Sequence, residues 1–109
     1  MKINKIYHKY NAKPTKVDGV RYDSKKEALY AKQLKIRQAA GEILFYLEQV
    51  PFSLPGGIKY RLDFMEFHAP KDGDQGDVIF TEVKGYMTSL ARSKISMVED
   101  LYNISINIV

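Results

Sequence analysis

Hydrophobic and polar positions follow two different periods along this chain, and the switches between them predict its elements. From Ser24 to Gly41 the apolar residues recur at helical spacing: Ala28, Ala31, Leu34 and Ala39 form a stripe, with Leu29 and Tyr30 beside it and Lys32, Lys35 and Arg37 on a basic side. Ser24 is a good N-cap and Gly41 a good stop. "ILFYLEQV", from Ile43 to Val50, is bulky and β-prone and reads as a strand ending at Pro51, with "SLPGG" as a turn. From Ile58 to His68 the period becomes two: Ile58, Tyr60, Leu62 and Phe64 face one way, and Lys59, Arg61, Asp63 and Met65 the other. "APKDGDQGD" is a polar turn. "VIFTEVKG" predicts a third strand bounded by Gly85, with Val78, Phe80, Glu82 and Lys84 on one face and Ile79, Thr81 and Val83 on the opposite one. "TSLARSKISMVEDLYN" returns to helical spacing through Leu90, Ile95, Val98, Leu101 and Tyr102, and "ISINIV" reads as a last short strand.

This order predicts an α/β fold, a mixed sheet flanked by helices: an antiparallel meander first, then a helical crossover to a parallel strand. Residues 1–23 lack a long period and read as an N-terminal arm, with a short hairpin from Val17 to Tyr22 around Asp18-Gly19. Residues 24–109 form a single domain, the expectation for a chain of 109 residues. The absence of cysteine excludes disulfides, thiolate chemistry and cysteine-based zinc sites. No apolar run approaches the roughly 18 residues that span a bilayer, and the first lysines are not followed by the apolar stretch of a signal peptide. A cytoplasmic location is expected.

Charge adds a direction. The first 26 residues carry eight lysines and arginines against two aspartates, whereas the rest of the chain is slightly acidic. Lys5, Lys9, Lys13, Lys16, Arg21 and Lys25, interleaved with Tyr7, His8, Tyr10 and Tyr22, form a basic arm suited either to a phosphate backbone or to solubility alone.

The chemistry-bearing pattern is "FTEVKG". Central strands seldom carry charge, yet Glu82 and Lys84 share a face here, and an adjacent strand would bring Asp63 across from them. Two neighbouring carboxylates are well explained by a hard cation, Mg²⁺ or Mn²⁺, with the Val83 carbonyl as a further ligand. Lys84 would then orient a water or stabilise charge on a phosphate. The plainer alternatives are edge protection and cross-strand ion pairing. Ser24-x-x-Glu27 fits a capping box, which is by itself a complete reason for Glu27. Gln49 faces either the cleft or an edge. Arg61, on the face of Asp63, either touches a phosphate or pairs with Asp63. Lys59 contacts a phosphate or faces solvent, and Tyr86 follows the motif where DNA could pass. Thr88 stands on the same path, the plainer alternative being that Thr88 or Ser89 only caps the second helix. Phe45 and Tyr46 read as core. His8 and His68 have no matching cluster. "DGDQGD" lacks the terminal glutamate of a calcium loop, and "LPGG" lacks the lysine of a phosphate loop.

Asp63 followed by Glu82-Val83-Lys84 resembles the signature of the PD-(D/E)xK nuclease superfamily. The longer stretches "KYNAKPTKVDGVRYDSKKEALYAKQL", "EQVPFSLPGGIKYRLDF" and "TEVKGYMT" look like a small phage-encoded, largely uncharacterised, Holliday-junction-resolvase-like family within it. The resemblance runs from about Lys9 onward and implies a restriction-endonuclease-like core that cleaves DNA phosphodiester bonds with Mg²⁺, Mn²⁺ being a possible substitute. It makes Asp63 and Glu82 the metal-binding acids, Lys84 the motif lysine, and Glu27 the first-helix glutamate that many members carry. Leu62 stands where the motif has proline. Branched DNA, a homodimer with two active sites, replication or recombination partners and a bacterial host's cytoplasm are the corresponding expectations. A DNA-binding protein without catalysis and a protein-interaction module are the alternatives.

Overall fold

The computed structural model describes residues 15–17, 20–22 and 24–109. Strands β1 (Thr15–Val17) and β2 (Val20–Tyr22) form an antiparallel hairpin that packs on helix α1 (Lys25–Ala39). Strand β3 (Ile43–Leu54), a turn of 3₁₀ helix (Pro55–Gly57) and strand β4 (Ile58–His68) make a long second hairpin. Strand β5 (Val78–Glu82), helix α2 (Ser89–Tyr102) and strand β6 (Ile106–Ile108) follow. The main sheet has four strands in the order β3-β4-β5-β6, antiparallel except for the parallel β5–β6 pair. The chain is thus of the α/β class, with a mixed sheet and two helices. Neither of these helices is long and apolar enough to cross a membrane.

Local chemistry accounts for the helix ends. The Ser24 hydroxyl accepts from the Glu27 N–H at 3.1 Å, and Gly41 follows the last turn with a φ of +84°. Thr88 caps α2 by accepting from Ala91 N–H at 3.0 Å, and Asn103 closes it in the left-handed region. Two cores lie on opposite faces of the sheet. On the α1 side, Ala28, Ala31 and Leu34 pack with Tyr22, Ile43, Phe64 and Val83. On the α2 side, Ile95 and Val98 pack with Leu54, Tyr60, Leu62 and Ile106. Tyr22 belongs to the first core, so the end of β2 packs with α1 and the sheet.

The strands depart from simple alternation at one rung. Tyr60 and Leu62 pack on the α2 side as expected, but Phe64 packs on the α1 side and Met65 returns to the α2 side. Strand β3 does the same: Tyr46 lies against the α1-side core, Val50 and Phe52 against the α2-side core. Both strands therefore exchange faces between residues 48 and 50 and between residues 62 and 64. The register Glu48↔Phe64 and Val50↔Leu62 sets these breaks opposite each other, at Gln49 and Asp63. Gln49 has a φ of +53°, the left-handed region that non-glycine residues seldom adopt within a strand.

Other differences have simple causes. Strand β3 runs through Pro51 to Leu54 rather than ending there, because β3 is an edge strand and an edge tolerates a missing N–H. Strand β5 ends at Glu82, although bonds from Lys84 N–H to Val109 O at 3.2 Å and from Val109 N–H to Glu82 O at 3.0 Å carry the chain on beside β6. Only part of the α2 stripe is buried: Leu90 and Leu101 are exposed. Phe45 is exposed on β3 and stacks on Phe67 with ring centroids 4.2 Å apart, instead of entering the core.

The loop from β4 to β5 returns close to its origin. His68 N–H donates to Asp77 O at 2.8 Å, and a Cβ on Gly76 would collide with the His68 carbonyl oxygen. Gly76→Ala should therefore destabilise the protein by about 1–3 kcal/mol through forced displacement of backbone. Urea unfolding checks this, and a midpoint equal to wild type would show that the loop yields freely.

Candidate functional site

The rung where β3 and β4 exchange faces is also where carboxylates gather. The β4–β5 register pairs Phe64 with Thr81, so the next rung sets Asp63 opposite Glu82. Asp63 Oδ2 accepts from Val83 N–H at 2.9 Å, where β5 has just ended and its backbone is released from the ladder. Glu27 enters from the first turn of α1. Its N–H is spent on the Ser24 cap, while its buried carboxylate accepts from Gln49 Nε2 at 2.9 Å. The same amide nitrogen donates to Asp63 Oδ1 at 3.3 Å. Glu27, Asp63 and Glu82 are all buried.

Lys84 supplies a cation to this group. Its Nζ lies 3.3 Å from Glu82 Oε2. The Tyr60 hydroxyl, from the α2-side core, donates to Glu82 Oε1. Lys26 Nζ donates to the Lys84 carbonyl oxygen at 3.0 Å, which ties the start of α1 to the segment after β5.

The electrostatics follow from this crowding. Burial raises the Asp63 carboxyl well above the ordinary carboxylate range, and the neighbouring Glu82 and Glu27 charges raise it further. The Val83 N–H and the Lys84 ammonium oppose that shift and do not overcome it. Such a site holds negative charge that its own cations leave partly uncompensated. Among the described residues, no group of three or more histidine, cysteine, aspartate or glutamate side chains is set to hold a metal ion. Mg²⁺ does not require such a cage, because it is commonly held by one or two carboxylates and retains several waters. Asp63 and Glu82 fit that requirement in donor type and in position, with Glu27 close behind Asp63.

The profile of the family described as "Protein of unknown function (DUF1064)" matches residues 7–107. The chain belongs to this family. Comparison with curated proteins finds no match, and comparison with solved structures finds none.

In this DUF1064 chain the sequence-derived candidates separate into three groups. Asp63, Glu82, Lys84, Glu27 and Gln49 converge. Lys25, Lys59, Arg61 and Tyr86 are exposed, with Arg61 opposite Pro51 and Lys59 opposite Ser53. Lys16 and Arg21 lie opposite each other in the β1–β2 hairpin, while Lys5, Lys9 and Lys13 lie outside the described residues. Two contributors were not foreseen. Tyr60 was legible only as an apolar position, since alternation does not reveal what its hydroxyl meets. Lys26 was one lysine among eight basic residues, and its role depends on a contact 58 residues away.

A second polar network adjoins the site within the same DUF1064 domain. Glu66 is buried on β4 and accepts from the Tyr30 hydroxyl at 2.5 Å and the Thr81 hydroxyl at 2.8 Å, with His68 Nε2 at 2.9 Å. Burial and the Glu66 hydrogen bond push the Tyr30 hydroxyl up to about 12. The Tyr22 hydroxyl donates to Glu48 at 2.6 Å and is raised strongly by burial and that partner. These bonds tie α1 and β2 to the sheet and fix the distance from which Glu27 approaches Asp63. His68 thus has a carboxylate partner in Glu66.

Proposed function

We propose that the chain is a metal-dependent endodeoxyribonuclease that hydrolyses DNA phosphodiester bonds. The observation that carries this reading is the convergence of Asp63, Glu82 and Lys84 where β5 ends beside the middle of β4, with Asp63 held in excess negative charge. The α/β architecture, an antiparallel meander followed by a parallel strand, is compatible with a restriction-endonuclease-like core of the PD-(D/E)xK type.

In this mechanism Asp63 and Glu82 would hold Mg²⁺, with the Val83 carbonyl and Glu27 as further candidates. When bound, the ion supplies Lewis-acid polarisation of a phosphate oxygen and lowers the pKa of a coordinated water. The chain's own residues do the rest. Lys84, kept in place by Glu82, offers N–H donors to an attacking water or to charge growing on the phosphate. Gly85 is exposed, and beyond its two chain neighbours a side chain there would meet no atom within 4 Å. Lys25, Lys59 and Arg61 are exposed cations available to flanking phosphates, with the basic residues before Ser24 adding to them. Branched DNA, a homodimer and the cytoplasm of a bacterial host are the finer parts of this proposal.

The test is cleavage of labelled four-way junction, flap and linear duplex DNA with Mg²⁺, Mn²⁺ or EDTA. Metal-dependent cuts are expected, reduced at least about 100-fold in Lys84→Ala, the scale of removing a group that stabilises developing charge. A wild-type protein that binds DNA in a salt-sensitive way but cuts none of these substrates in either metal would replace this reading with a non-catalytic binder. Binding and cleavage across the three substrates decide the branch preference.

A further inference from the structure

We propose that Gln49 is the positioning residue of this site: its amide fastens Glu27 to Asp63, and its left-handed backbone is what turns that amide into the cleft. This rests on the metal-site reading above and deepens it.

Three observations carry it. Gln49 Nε2 lies 2.9 Å from Glu27 Oε2 and 3.3 Å from Asp63 Oδ1, so both amide hydrogens are directed at carboxylates from two other elements. Two facing acceptors require a group with two donors, and the amide orientation is thereby determined. Second, the amide is neutral. A lysine in its place would cancel charge that a cation needs, whereas an amide joins the two carboxylates and leaves their charge intact. Hydrogen bonds to ligand carboxylates of this kind orient them and tune the affinity of a metal centre.

Third, Gln49 has a φ of +53° in the middle of a strand, where backbone strain has a cost. It stands across from Asp63, at the rung where both strands exchange faces. A residue needed only to exchange faces would be best served by glycine, which adopts this region freely. A glutamine there indicates that the side chain is required as well.

The experiment compares wild type, Gln49→Gly and Gln49→Ala by urea unfolding in EDTA and by calorimetric titration with Mn²⁺. Both variants lose the amide, but only alanine retains the backbone strain. Gln49→Gly should unfold at a higher urea midpoint than Gln49→Ala, the reverse of the usual order in strands. Mn²⁺ affinity should nevertheless fall about tenfold or more in both. Affinity within twofold of wild type in Gln49→Gly would overturn the positioning role and leave only a backbone role. An alanine variant as stable as the glycine variant would overturn the strain argument. Wild-type protein that binds no Mn²⁺ would overturn the metal-site reading and this proposal with it, whereas loss confined to the variants separates the two.

Discussion

Asp63→Asn should raise stability in the absence of metal and, on the nuclease reading proposed above, abolish cleavage in the same protein. Asparagine retains a carbonyl oxygen for the Val83 N–H and gives up only the longer acceptance from the Gln49 amide at 3.3 Å, whose other hydrogen stays on Glu27. It removes a charge that is buried beside Glu82 and Glu27. The sign follows from linkage. Burial and those neighbours raise the Asp63 carboxyl above its unfolded value, so the folded protein binds a proton more readily than the unfolded chain. As pH rises through the ordinary carboxylate range, the unfolded chain ionises first and stability begins to fall. The fall ends once pH has passed the raised value in the folded state. At neutral pH the wild-type carboxylate is thus a net cost in EDTA, and Asp63→Asn should gain stability, on the order of the 0.5–2 kcal/mol common for a single stabilising substitution. Mg²⁺ should stabilise wild type but not the variant. Urea unfolding from pH 4 to 8, with and without Mg²⁺, measures both effects. A variant less stable than wild type at pH 8 in EDTA would refute the electrostatic reading of the site.

Phe64→Ala is expected to have the largest effect on folding, a loss of about 3–5 kcal/mol. Phe64 has no exposed surface and packs against Tyr30, at 5.2 Å between ring centroids, and Tyr46, at 6.3 Å. It also joins β4 to α1 immediately after the face exchange at Asp63. The cavity left by alanine would be walled by Ala28, Ala31 and Leu34, small or already packed residues that cannot advance to fill it. Leu90→Ala on α2 is the control, because Leu90 is 65% exposed and its loss should cost little. Comparable losses at the two positions would show that the α1-side core is looser than its packing indicates.

The elements themselves were legible in the sequence because their signals are local. Ser24 and Gly41 bracket α1, and the extent of β4 is plain from its alternation. The acidic pair and Lys84 were equally plain, since charge inside an apolar run needs a reason. The face exchange was not legible. Period-two reading assumes that parity is kept along a strand, and nothing near Asp63 in the sequence marks a break. The marker is Gln49, a residue with no special propensity for the left-handed region, held there by partners from α1 and β4. Glu27 was ambiguous for a related reason. Its cap fits the local rule, but its carboxylate is directed by Gln49, 22 residues further on.

One consequence of this assembly concerns the route to the folded state. Gln49 meets its two partners across 22 and 14 residues, and Val83 meets Asp63 across 20. No short segment contains two of these contacts, so neither a nascent helix nor an isolated hairpin turn can rehearse the cleft. Its mutual repulsion is therefore absent while the chain is searching and appears only as the sheet and α1 close on each other. The electrostatic cost falls on the completed molecule, where it acts on how soon the protein opens rather than on how fast it forms.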